Sequence, residues 1–150
     1  VAKGFGLNFR ITEDGITPLM LACTIGDIDT VKLLCTNKEV DMDKKDDAGI
    51  NACYISAYYG HKDVFLFLLS KGAAVRPNNK QTTVLHMAAK RGHIALVKCM
   101  LEDQRIKHDL KVDATRQNGM TPLIYAVQKN QLRIAQYLKE AGADVQVKHP

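Results

Sequence analysis

Gly15-Ile16-Thr17-Pro18-Leu19-Met20-Leu21-Ala22-Cys23 returns three times along the 150-residue chain. It comes back as Gly49-Ile50-Asn51-Ala52-Cys53-Tyr54-Ile55-Ser56-Ala57, as Gln81-Thr82-Thr83-Val84-Leu85-His86-Met87-Ala88-Ala89, and as Gly119-Met120-Thr121-Pro122-Leu123-Ile124-Tyr125-Ala126-Val127. The Thr or Asn anchors at 17, 51, 83 and 121 stand 34, 32 and 38 residues apart, a period at which each copy is one supersecondary unit. Thr17-Pro18 and Thr121-Pro122 predict helix starts: the hydroxyl accepts an orphan backbone N–H, and proline has none to satisfy. Gly26, Gly60, Gly92 and Asn130 then stop each first helix, being residue types that tolerate the left-handed conformation. A second apolar-periodic run follows and predicts a second helix: Val31, Leu34 and Cys35; Val64, Phe67 and Leu68; Leu96, Val97, Met100 and Leu101. Gly72-Ala73-Ala74-Val75 and Gly142-Ala143-Asp144-Val145 close two copies, and Asp46-Asp47-Ala48-Gly49 turns the chain back.

Helices this short are below the roughly 12 to 15 residues an isolated helix needs, so each must be held by its neighbours. The small pairs Ala22-Cys23, Ser56-Ala57 and Ala88-Ala89 permit close approach of the first helices, and the larger aliphatics of the second helices fill the space between copies. The expected result is an elongated row of helix pairs with projecting turns. Composition agrees: 46% apolar residues suffice for a buried core, and no run approaches the roughly 18 apolar residues that a membrane span needs. There is no short apolar block of a secretory signal near Val1, and the chain reads as a segment cut from a longer intracellular protein, cytoplasmic or nuclear. Cys23, Cys35, Cys53 and Cys99 fall where other copies carry Leu, Ala or Val, which predicts buried free thiols in a reducing compartment. The net charge of +5 is uneven: residues 1 to 75 carry eight Lys/Arg against ten Asp/Glu, and residues 76 to 150 thirteen against six. That asymmetry favours an acidic partner for the second half.

The near-33 period, the Thr-Pro-Leu-His-like start, the Gly-His between helices and the Gly-Ala-Asp-Val-like close together resemble the ankyrin repeat, over about residues 12 to 150. The resemblance implies an all-α ankyrin-repeat solenoid of four helix-turn-helix repeats with projecting β-turn or hairpin loops, forming one domain over 1–150. The repeats fall at about 12–45, 46–77, 78–115 and 116–150, and 1–11 reads as the remnant of a preceding repeat. Met20 and Ile124 stand where the family prefers His, so its His-to-Thr bracing is expected only in copy three, through His86 and Thr83. Copy two lacks both Pro (Ala52) and His (Tyr54) and is expected to be the least stable. At the far end Lys139 near Gln136 suits a solvated capping helix, while Ala143-Asp144-Val145 suits a lead into a further copy.

Candidate chemistry is sparse. His61 and His93 follow glycines, where the family carries a structural His, and no Cys-x-x-Cys or His-x-x-x-His spacing completes a zinc site. Every Cys maps to a core position, where a thiol is inert, and Gly60-His61-Lys62 and Arg91-Gly92-His93 lack the flanking glycines of a phosphate loop. The expectation is no enzyme, no cofactor and no metal. What remains is surface. The resemblance implies binding along a concave face made by the turn tips and the exposed ends of the first helices. Transferred here, that face comprises Glu13, Asp14, Ile16, Thr24 and Ile25; Asp47, Ala48, Ile50, Tyr58 and Tyr59; Asn79, Lys80, Thr82, Lys90 and Arg91; and Gln117, Asn118, Met120, Gln128 and Lys129. Tyr58 and Tyr59 are the expected anchors, since tyrosine buries a large area at small entropic cost, and helical neighbours about 100° apart leave at least one exposed. Lys90 and Arg91 read equally as a solvated charge pair. The longer connection Gln104–Lys111 is either a second contact element or a loop lengthened without consequence.

The leading expectation is a monomeric scaffold, adaptor or targeting module that grips a protein or peptide. The alternative is a regulatory segment acting in cis on an enzyme or channel. Nucleic-acid or anionic-lipid binding by the basic half has charge in its favour but no reading motif.

Overall fold

Four threonine or asparagine caps start the first helix of each pair, as their chemistry requires. The computed structural model describes residues 6–106 and 109–145, which fall into two compact units, Val1–Ala74 and Val75–Pro150. Among the described residues there are eight helices and no strands.

In the first unit, α1 (Pro18–Ile25) and α2 (Ile28–Cys35) form one pair, α3 (Ala52–Tyr58) and α4 (Lys62–Ser70) the next. Thr17 Oγ1 accepts from Met20 N at 3.3 Å, and Asn51 Oδ1 from Tyr54 N at 2.9 Å, each satisfying an orphan donor of the first turn. Gly26, at φ +80°, ends α1 by donating its N–H to Ala22 O at 2.9 Å. α1 packs on α3 and α2 on α4, so the small residues Ala22, Cys23, Ser56 and Ala57 are all buried between backbones. α4 supplies Val64, Phe65, Leu68 and Leu69 to the core, side chains whose burial stabilises by roughly 1.5–3 kcal/mol each. Phe65 replaces the expected Phe67: it lies on the arc shared by Val64 and Leu68, whereas Phe67 is turned away, half-buried, with Lys32 Nζ and Lys71 Nζ 5.9 and 5.7 Å from its ring. α2 is thinner, with only Val31 buried and Leu34 and Cys35 half-buried. Asp43 accepts from Ala74 N at 2.7 Å, while Asn51 Nδ2 donates to Ala74 O at 3.0 Å, tying the end of the second pair to the preceding loop.

In the second unit, α5 (Val84–Arg91) and α6 (Ile94–Glu102) precede α7 (Pro122–Gln128) and α8 (Leu132–Glu140). Thr83 and His86 form a reciprocal capping box, the bracing expected for this copy alone. Thr121 Oγ1 caps α7 by accepting from Ile124 N at 3.2 Å. Leu96, Val97, Met100, Ile134 and Leu138 fill the core, with Leu101 half-buried. The longer connection adds to that core: Ile106 and Leu110, four residues apart, are both buried, while Lys107 and His108 lie outside the described residues. Asp113 accepts from Asp144 N at 2.9 Å, the counterpart of the Asp43 bond in the first unit.

Each turn tip closes on a backbone bond between residues five or four apart: Ile11 N to Ile16 O, Asp46 N to Ile50 O, Asn78 N to Thr82 O and Arg116 N to Met120 O. Glycine occupies the left-handed position of three tips, at φ +101° (Gly15), +80° (Gly49) and +77° (Gly119), whereas the third tip has Gln81 at φ +60°. A side chain in that region costs about 1–2 kcal/mol, part of which glycine's greater unfolded entropy takes back. Gln81→Gly is therefore expected to stabilise the chain by about 0.5–1 kcal/mol, read as a rise in melting temperature; a fall would mean that the Gln81 side chain holds the tip.

Candidate functional site

Among the described residues, Cys23 and Cys53 are walled in, and the rings of His61 and His86 are engaged. Burial pushes the Cys23 thiol up to about 12 and raises Cys53 further above its ordinary range, so neither is a ready thiolate. Cys35 and Cys99 are half-buried rather than in the core as expected; burial nonetheless raises the Cys35 thiol. His86 is fully enclosed with both ring nitrogens occupied: Nδ1 accepts from Thr83 N at 3.1 Å, and Nε2 bonds Met120 O at 2.8 Å. His61 is occupied as well, its Nε2 lying 3.1 Å from Thr24 O and its ring covering Gly26. Among the described residues no three His, Cys, Asp or Glu side chains gather as a metal site would require, and no helix is long and apolar enough to cross a membrane.

The surface residues expected from the sequence divide by unit. In the first, Asp14 and Asp47 are exposed on neighbouring tips that Asp47 N joins to Asp14 O at 2.9 Å. Arg10 crosses to Asp47 at 3.1 Å, an exposed pair of little energetic weight. Ile25 projects from the last turn of α1 at 67% exposure and Tyr59 from the end of α3 at 43%. Tyr58 is half-buried, its ring edge-on to Tyr59 with centroids 4.9 Å apart, and His61 stacks on Tyr59 at 6.2 Å. One tyrosine thus supports the other. Ile16 and Ile50 are half-buried.

In the second unit Lys80, Arg91, Gln128 and Lys129 are exposed, and Lys90 is half-buried. Met120 is corrected: at 4% exposure its side chain belongs to the interior. The reason is its place directly before the N-cap Thr121, where an apolar side chain folds back over the first helical turn. Sequence reasoning passed over the neighbours that shape this side. Arg116 Nη1 donates to the Tyr125 hydroxyl, and Lys90 Nζ lies 5.4 Å from the Tyr125 ring centroid. The available signal was a tip arginine nine residues before an inward tyrosine.

A family model described as ankyrin repeats (3 copies) matches residues 2–79 and again 73–149. The nuclear factor NF-kappa-B p105 subunit of Mus musculus is 33% identical over 105 residues, 69% of this chain and 10% of that protein. The p105 subunit of Gallus gallus is 27% identical over 149 residues, 96% of this chain and 15% of its own length. The probable 26S proteasome regulatory subunit p28 of Saccharomyces cerevisiae is 31% identical over 119 residues, 77% of this chain and 50% of that subunit. The chain therefore spans between a tenth and a half of the length of these relatives. With capped helix pairs recurring at the repeat period and the family model matching nearly the whole sequence, the chain belongs to the ankyrin repeat family.

Proposed function

We propose that the chain is a monomeric, non-catalytic protein-binding segment on which a protein or extended peptide docks against the turn tips and the exposed last turn of the first helix of each pair. Ankyrin repeats generally mediate protein–protein interaction and are typically non-catalytic. The observation that carries the reading is the pair Ile25 and Tyr59, at equivalent last-turn positions of α1 and α3. Both stand out of the surface, although Ala22, Cys23, Ser56 and Ala57 just before them are buried. An aromatic ring held by Tyr58 and His61 loses little freedom when a partner covers it, which is what a binding anchor requires. The proposed setting is intracellular, in keeping with the unoxidised Cys23 and Cys53.

Peptides selected from a displayed random library should bind the Ile25→Ser/Tyr59→Ser double variant at least roughly tenfold more weakly, the loss typical of removing anchor residues. Stability should fall by about 1 kcal/mol, the Tyr58 and His61 contacts being lost with the ring, and the chain should stay folded. Undiminished affinity across the selected set would remove this surface as the docking site. A second reading, regulation in cis of a longer protein, draws on the small share of the relatives' length that the chain covers. It predicts that deleting these residues from the parent alters its activity with no partner present.

A further inference from the structure

The second unit holds uncompensated positive charge around one buried ring. Tyr125, in α7, is 5% exposed; Arg116 donates to its hydroxyl and sets its guanidinium carbon 5.9 Å from the ring centroid, while Lys90 Nζ approaches to 5.4 Å. His86 meets the same ring edge-on at 6.0 Å. It adds no charge, since burial, with Arg116 contributing, pushes its pKa down to about 4. Lys80 borders the group through its tip, where Gln117 N donates to Lys80 O at 3.1 Å, and Lys129 follows α7, its N–H donating to Tyr125 O at 3.0 Å. Among the described residues neither Lys90 nor Arg116 forms an ion pair with a carboxylate; pairs that do form, such as Arg10–Asp47 and Arg105–Asp103, lie elsewhere. The acidic residues of this unit, Glu102, Asp103, Asp109, Asp113, Glu140 and Asp144, sit at the ends of α6 and α8 and in the segments that follow. Arg116 Nε is moreover buried with no hydrogen-bond partner.

Like charges gathered without counter-charges repel one another, and a partly desolvated guanidinium gains more from an incoming carboxylate than a hydrated one does. Tyr125 also holds Arg116 in place beforehand, which lowers the entropy lost when a ligand is gripped. We propose that this side of the second unit binds an acidic stretch of a partner protein, its carboxylates pairing with Arg116 and Lys90 above Tyr125. The inference rests on the protein-binding reading and supplies the chemistry of the partner. Nucleic acid fits less well, because base stacking needs an open aromatic face. Tyr125 is covered, and among the described residues of this unit the exposed large apolar side chains are Val127, Leu132 and Val145, none of them aromatic.

The test uses a fluorescently labelled short Glu-rich peptide, the same peptide with Gln in place of Glu, a single-stranded oligonucleotide, and vesicles containing phosphatidylserine. The Glu peptide should bind with an affinity that falls as salt rises, and the Gln peptide should not. Lys90→Gln/Arg116→Gln should weaken binding roughly tenfold, the sum of two charge-assisted contacts. Lys90→Arg should keep it, as should Lys98→Gln on the exposed side of α6. Because Arg116 also supports Tyr125, the Lys80→Glu/Lys90→Glu variant leaves Arg116 in place and should abolish binding while circular dichroism shows the chain still folded. Equal binding of the Gln peptide, indifference to both double variants, or tighter binding of oligonucleotide or vesicles through the same residues would overturn the inference. Library peptides that still depend on Ile25 and Tyr59 while the Glu peptide fails would sink this inference alone; library peptides indifferent to those residues would sink the general reading.

Discussion

Acidifying the chain from neutrality to about pH 4 is expected to remove on the order of 3 kcal/mol of stability through His86 alone. The imidazole is fully buried, and the first cause of its lowered pKa, about 4, is loss of solvation of the charged form. The Met120 carbonyl pulls the other way and the Arg116 charge reinforces the shift. The unfolded chain binds this proton near pH 6.5 and the folded chain only near 4. The stabilisation is therefore complete above about 6.5, is lost progressively as pH falls toward about 4, and changes no further below that. Protonation would also set a new N–H on Nδ1 against the Thr83 N–H it now accepts, 3.1 Å away. Urea unfolding followed from pH 7.5 to 4 measures the effect. His86→Gln should cost about 1–3 kcal/mol at neutral pH, because the Met120 carbonyl is left poorly matched, yet its stability should vary much less across that window. The same slope in the variant would place the acid sensitivity elsewhere.

The neutral ring also shows what could be read before any coordinates. The bracing of His86 by Thr83 was legible because a capping box is local chemistry, three residues wide, and so were the caps at Thr17 and Thr121, while Asn51 was legible only as the matching anchor of its copy. The left-handed stops at Gly26, Gly60, Gly92 and Asn130 followed from residue type in the same way. The phase of α4 did not, because Phe65-Leu66-Phe67-Leu68-Leu69 is apolar on every side and only packing chooses among its faces. The surface was less legible still. Transferring the position before each N-cap as a contact residue fails for Thr82 and Met120 and half fails for Ile16 and Ile50, since that position turns back over its own helix. Ile106 and Leu110 did carry a signal, two aliphatics four apart in a polar connection, but the turn that buries both is not written in their spacing. The cover that His61 gives Gly26 joins residues 35 positions apart, and no local pattern announces it.

That cover predicts the second large effect. Gly26→Ala should destabilise by about 2–3 kcal/mol, from two sources that can be separated. Gly26 sits at φ +80°, where any side chain costs about 1–2 kcal/mol. A Cβ there would also meet the His61 ring, 2.5 Å from Nδ1 and 2.7 Å from Nε2, closer than real Cβ contacts come. The ring must then leave its seat and give up its 3.1 Å bond to Thr24 O, a further loss of about 1 kcal/mol. Gly72 supplies the control: its φ is +84°, but nothing lies within 4 Å of a Cβ, so Gly72→Ala should cost the backbone part alone. Introducing Gly26→Ala into a His61→Ala background should likewise reduce its cost to that of Gly72→Ala, a double-mutant cycle read by denaturant unfolding. Equal costs for Gly26→Ala and Gly72→Ala in the otherwise native chain would contradict the argument. The second unit indicates which property of His61 matters. There Gln131 occupies the corresponding place over Gly92, with Nε2 2.6 Å from where a Cβ would be. A flat polar side chain spreading over a bare glycine is common to both, whereas the imidazole is not, so His61→Gln should be tolerated where Gly26→Ala is not.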